Sequence, residues 1–94
     1  AEALEQYQLG LKITERLAAL DPSHNQWQRD LLVYHFKIGN VYQVLDDSEL
    51  ALASFNAALA VNKRLLALNP DNAEWQRDGE IIQRRLQAVH GVAE

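Results

Sequence analysis

One nine-residue stretch constrains this chain more than any other. PSHNQWQRD, Pro22 to Asp30, returns 48 positions later as PDNAEWQRD, Pro70 to Asp78. Trp-Gln-Arg-Asp therefore occurs twice, Trp27 to Asp30 and Trp75 to Asp78, each time five residues after a proline. The register holds upstream as well: Ala3-Leu4 matches Ala51-Leu52, Tyr7 matches Phe55, Leu11 matches Leu59, and Arg16-Leu17 matches Arg64-Leu65. Twelve of the 28 positions from Ala3 to Asp30 are identical to their partners in the second copy. A period of this size makes a repeat architecture the first thing to consider.

The pattern within each copy is helical. From Ala1 to Leu20 apolar residues fall on two lines, Leu4, Tyr7, Leu11 and Leu9, Ile13, Leu17, Leu20, a wider apolar surface than a helix lying on a single core requires. Asp21-Pro22 stops this helix, because the residue before proline is pushed out of the α region. Ser23 with Gln26 has capping-box spacing, as do Asp71 with Glu74 in the second copy and Asp46 with Glu49 between them. The second helix, about 24–45, carries Trp27, Leu31, Tyr34, Ile38, Val41, Tyr42 and Leu45 along one side. Gly39 lies in its middle, where glycine costs about 1 kcal/mol relative to alanine, so a close neighbour is expected there. The short link after it makes helices two and three antiparallel neighbours. Helix three, about 48–68, carries Leu52, Phe55, Ala58, Leu59, Leu65 and Leu68 and ends at Asn69-Pro70. Helix four, about 72–90, has a narrower apolar stripe (Trp75, Ile82, Leu86, Val89), is polar at Glu80, Gln83, Arg84, Arg85 and Gln87, and can end at Gly91. Helix one is thus the richer in uncovered apolar surface and helix four the better suited to face water.

Four helices of roughly 20 residues, each about 30 Å long, with a helix-pair repeat and short loops, predict an all-α fold. The expected architecture is an α-solenoid segment of four antiparallel helices forming one domain over 1–94. A four-helix bundle has the same helix count and loop lengths, but equivalent copies should make equivalent contacts, which stacking provides by translation. The chain begins at alanine and reads as a segment of a longer repeat array.

Composition narrows the function classes. The 94 residues carry a net charge of −4, which argues against a nucleic-acid module with its basic face. No apolar run approaches the roughly 20 residues that span a bilayer, and no signal-peptide pattern opens the chain. Cysteine is absent, which excludes disulfides and thiolate metal sites and fits a reducing, cytoplasmic setting.

Little in the sequence points to catalysis. His24, His35 and His90 are far apart, and none lies in a metal-ligand spacing. His35 reads as a packed or groove residue rather than a ligand or base. No phosphate loop and no nucleophile with a visible base is present, and the carboxylates gather at helix starts, where the helix dipole favours them. Neither an enzyme nor a cofactor or metal site is expected. The repeated Arg29-Asp30 and Arg77-Asp78 could present two arginines to an acidic ligand. Repetition favours the other reading, in which each arginine pairs with a neighbouring helix. Trp27 and Trp75 likewise read as residues packed beneath the preceding loop.

Ile38-Gly39-x-x-Tyr42, followed by Ala51, Phe55 and Ala58-Leu59, resembles a tetratricopeptide repeat (TPR). One full motif spans about Leu32 to Lys63. Leu4-Tyr7-Gly10-Leu11 is similar to the second helix of a preceding repeat, and helix four to the first helix of a following one. The family's usual period is about 34 residues, so 48 implies helices longer by roughly two turns. The family's opening tryptophan position falls on His35, and its Gly and Tyr positions in helix four become Gln87 and His90. The resemblance implies a concave groove lined by the first helix of each pair, with candidates Val33, Phe36, Asn40, Gln43, Val44, Ile81, Arg84 and Ala88. In the branch of the family that grips a terminal carboxylate, a lysine is expected where Phe36 stands, so a carboxylate clamp is not. The expected function is a non-enzymatic protein-interaction module or scaffold that takes a peptide or protein segment in this groove. The alternative is a structural spacer or self-association element of a larger protein, with a homo-oligomer forming through helix one.

Overall fold

A computed structural model describes residues 2–93, with side chains over 2–90. The described residues form four helices, α1 (Glu2–Leu20), α2 (Asn25–Val44), α3 (Ser48–Leu68) and α4 (Ala73–Ala93), and no strand. The fold is all-α. Each helix packs extensively only on its neighbours in the chain, and the α2–α3 interface is the largest. A closed up-and-down bundle would in addition bring α4 against α1; these two share no extensive interface. The Cα envelope, 37 × 29 × 16 Å, is two helix layers thick, given interaxial distances of about 8–10 Å.

The core runs through all four helices. Phe55 is fully buried, Leu65 and Ile82 are 1% exposed, and Ala18, Leu31, Leu32, Ala51, Ala58, Val61, Trp75 and Val89 complete the cluster. The close neighbour expected at Gly39 is Phe55, since a Cβ there would lie 2.6 Å from its ring. Small residues open room for large ones at two other crossings: Gly10 lies under the Tyr34 ring, and Gly79 under the side chain of Asn62. Asn62 is 2% exposed and donates from Nδ2 to the Trp75 carbonyl at 2.7 Å. That bond offsets the cost of burying an amide, about 1–3 kcal/mol when unpaired.

The helix ends differ from the expected capping boxes by one residue throughout. His24, not Ser23, caps α2, with Nδ1 accepting from the Trp27 amide at 3.2 Å while its ring stacks on the indole. Ser23 instead donates through N–H and Oγ to Asp21. In the second copy Asn72, not Asp71, accepts from the Trp75 amide, and Asp71 donates to Asn69. Asp47, not Asp46, caps α3 by accepting from the Leu50 amide. Asp46 has other work: at φ 60° it closes α2, its N–H bonding the Gln43 carbonyl and the Asp47 N–H the Tyr42 carbonyl. This is the Schellman arrangement. Gly91 does not end α4, which continues to Ala93.

Every letter of the repeated tetrapeptide has a structural use. Trp75 is buried and Trp27 half-buried against the core. Gln28 and Gln76 each donate from Nε2 to the carbonyl of the preceding proline, Pro22 and Pro70. Arg29 grips Asp78 with two bonds, Nε to Oδ2 at 3.0 Å and Nη2 to Oδ1 at 3.2 Å, and meets Glu74 at 3.2 Å. The arginine of the first copy therefore holds the aspartate of the second. Such a two-pronged contact fixes orientation as well as distance. Arg77, expected to pair in the same way, is exposed and makes no ion pair or side-chain hydrogen bond among the described residues.

Candidate functional site

Arg29–Asp78 and Glu74 tie α2 to α4 across the surface opposite α3, and a groove of about 310 Å³ lies beyond them. Its α2 wall is Arg29, Leu32, Val33, Phe36, Lys37 and Asn40, and its α4 wall is Asp78, Ile81 and Ile82. A second groove of about 310 Å³, between α1 and α2, is lined by Tyr7, Lys37, Asn40, Val41, Val44 and Leu45. Lys37 and Asn40 line both, so the two grooves adjoin as one track along α2.

Four of the eight candidate residues, Val33, Phe36, Asn40 and Ile81, line the first groove, and Asn40 with Val44 lines the second. Gln43 is half-buried and lines neither. Arg84 and Ala88 are exposed further along α4 and also line neither. Motif matching passes over Arg29, Leu32, Lys37, Asp78 and Ile82 in the first groove and Tyr7, Lys37, Val41 and Leu45 in the second. Helical spacing would have found Lys37, which lies four residues after Val33 and three before Asn40 and so shares their face.

The track is apolar with cations on its rim. Phe36 leans on Phe55 at 5.6 Å between centroids, with the rings tilted by 52°, which anchors it to the core. The Arg85 guanidinium sits 6.0 Å from the centroid of Phe36, and the Lys37 ammonium 5.5 Å from that of Tyr7. Burial lowers the affinity of Arg29 for its proton, but the hydrogen bond to Asp78 outweighs this and raises its pKa above the ordinary value. Arg29 is thus committed to its carboxylates, whereas Lys37 lines both grooves and Arg85 lies over the Phe36 ring at the edge of the first. Asn40 Oδ1 is the one buried side-chain polar atom without a hydrogen-bond partner among the described residues. It lies where the two grooves meet.

The chain matches no family model, no curated protein and no solved structure. Among the described residues no group of three or more His, Asp or Glu side chains could hold a metal ion, and no helix is long and apolar enough to cross a membrane. What the track along α2 presents is apolar surface, the Asn40 amide and the Lys37 ammonium, with Arg85 over the Phe36 ring beside it.

Proposed function

We propose that the chain is a non-enzymatic protein-interaction module of stacked, TPR-like helix pairs that binds an extended peptide segment along the α2 track. The observation that carries this reading is Asn40 Oδ1, buried and unpartnered at the junction of two apolar grooves. An unmade bond at such an atom costs about 1–3 kcal/mol, and a turn of the Asn40 amide, which lines both grooves, would bring Oδ1 to a peptide N–H laid along α2. The solenoid-like arrangement rests on extensive contacts confined to chain-neighbour helices and on the Arg29–Asp78 link from the first Trp-Gln-Arg-Asp copy to the second. A cytoplasmic setting belongs to the same proposal and rests on composition alone.

Phe36 supplies apolar contact and Asn40 the backbone bond, so Phe36→Ala and Asn40→Ala should each weaken peptide binding by roughly tenfold or more, about 1.4 kcal/mol. The measurement is fluorescence anisotropy with peptides selected on the wild-type chain from a display library. Circular dichroism shows that each variant keeps its helices. Folded variants that hold every selected peptide as tightly as the wild type would remove the groove from the account. The alternative reading, a spacer or self-association element, is favoured by the apolar face of α1, where Leu9 is 61% and Ile13 51% exposed.

A further inference from the structure

We infer that the groove between α2 and α4 takes an acidic peptide. An apolar side chain of the peptide seats between Phe36 and Ile81, and an Asp or Glu two residues away sets its carboxylate between Lys37 and Arg85. This specificity rests on the peptide-binding role proposed for the groove. Both walls of that groove belong to this chain, α2 on one side and α4 on the other, and Phe36 leans on Phe55 of the core. A helix preceding α1 would stand to α2 as α2 stands to α4, over the second groove, and would leave this one open.

Charge changes sign along the groove. At one end Arg29 meets two carboxylates, Glu74 and Asp78, which leaves that end net negative. At the other stand Lys37, in the lining, and Arg85, whose guanidinium is 6.0 Å from the Phe36 centroid. Neither of these cations has an ion pair among the described residues. Helical spacing supplies none, since no position three or four residues to either side of Lys37 or Arg85 is Asp or Glu. The other exposed arginines of α4 differ: Arg77 has Glu74 and Glu80 three residues away, and Arg84 has Glu80 four away. Lys37 and Arg85 are also repeat equivalents, 48 positions apart, and each lies over an aromatic ring, Tyr7 and Phe36. Such a contact holds a cation in place without cancelling its charge. In a chain of net charge −4 this pair is a local exception, and a carboxylate is the group that matches it.

The spacing in the peptide follows from the helix. Arg29 and Lys37 are eight residues apart in α2, so the two ends of the groove lie about 12 Å apart along the axis. That is the reach of about four residues of extended chain. Val33, in the apolar middle, lies halfway between them, so about two extended residues separate the apolar seat from Lys37. Side chains two apart in an extended chain project to the same side. An apolar residue and a carboxylate at that spacing therefore enter the groove together. Placed at the opposite end, the same carboxylate would meet Glu74 and Asp78.

The test selects peptides from a random display library on the 94-residue chain, and again on the double variant Lys37→Glu/Arg85→Glu. Both side chains are exposed, and circular dichroism checks the helices of each variant. The wild-type pool should be enriched in Asp or Glu two residues from an apolar residue, although the chain's net charge favours basic peptides. The double variant should exchange this preference for Lys or Arg at the same spacing. In fluorescence anisotropy, Lys37→Gln/Arg85→Gln should weaken a selected acidic peptide roughly threefold or more at low salt, and added salt should narrow the gap. Arg16→Glu/Lys63→Glu, the same change of charge outside the groove, should alter neither the pool nor the affinity. Phe36→Ala separates the two levels of the proposal. A pool that depends on Phe36 but shows no acidic preference, or keeps that preference on Lys37→Glu/Arg85→Glu, overturns the acidic assignment and leaves the groove in place. Peptides indifferent to Phe36→Ala, or a selection that yields none, overturn the groove itself and this assignment with it.

Discussion

His35 forms part of the floor of a groove that α1 and α3 wall off over α2, beside Ile38 and Tyr42. It is half-buried, and desolvation holds its imidazole below the ordinary value of 6.5, with Glu15 opposing the shift. The sign of the consequence follows. A group that binds its proton less well folded than unfolded favours the unfolded chain once the unfolded form begins to protonate. Stability from this residue is therefore complete at neutral pH, declines as pH falls below about 6.5, and levels off below the folded pKa. The slope cannot exceed one proton, about 1.4 kcal/mol per pH unit. Thermal melts at about pH 7.5 and 5.5 should show a drop that His35→Gln reduces; an unchanged drop in the variant would assign it to other groups. That His35 is a packed residue was legible from its place on an aromatic-rich helix. Its lowered proton affinity depends on how closely α1 and α3 approach, which no single-helix pattern carries.

At the scale of the helix, existence and length were legible and the caps were not. Proline after Asp21 and Asn69, and apolar spacing between, place all four helices to within three residues at either end. The caps are displaced because Asp21 and Asn69 each accept from the amide two residues on, which tightens the turn and moves the helix start to His24 and Asn72. Serine and glutamine at capping-box spacing do not reveal that competition. The groove shows the same limit. Val33, Phe36, Asn40 and Ile81 follow from helical phase, but which part of α4 meets α2 is set by the Arg29–Asp78 bond. That bond brings Asp78, Ile81 and Ile82 to the groove and leaves Arg84 and Ala88 outside it. The α2–α3 link offers a direct check. Asp46 holds φ 60°, a region costing about 1–2 kcal/mol for most residues and little for glycine. Asp46→Gly relieves this strain while adding freedom to the unfolded chain, for a net gain of a few tenths to about 1 kcal/mol. Asp46→Val loses about 1–2 kcal/mol, since a branched Cβ suits this region least. Urea unfolding midpoints order the three as Gly, Asp, Val, and a valine variant as stable as the parent would mean that α2 ends in another way.

Across the whole molecule, stability follows from which helices have two neighbours. α2 and α3 are each packed on both sides, α1 and α4 on one. In assemblies of this kind stability is a sum of helix terms and nearest-neighbour terms, so an end helix can detach while the rest remains folded. The two ends are not equal. α4 is held by the bidentate Arg29–Asp78 contact, by the buried Asn62 bond to Trp75 and by Ile82 and Val89 in the core. α1 contributes only Thr14 and Ala18 as buried residues, and Gln8 to Tyr42, at 3.3 Å, is a long hydrogen bond between exposed side chains. Native-state hydrogen exchange should therefore resolve three levels in dilute solution. Amides of α1 exchange through the lowest-energy opening, those of α4 through an intermediate one, and those of α2 and α3 only with global unfolding. Asp78→Asn breaks the charge pairing on Arg29 and should lower protection in α4 while leaving α1 unchanged, because no extensive interface connects them. Equal protection in all four helices, or a loss in α1 that tracks the α4 substitution, would show a single cooperative unit in place of a stack.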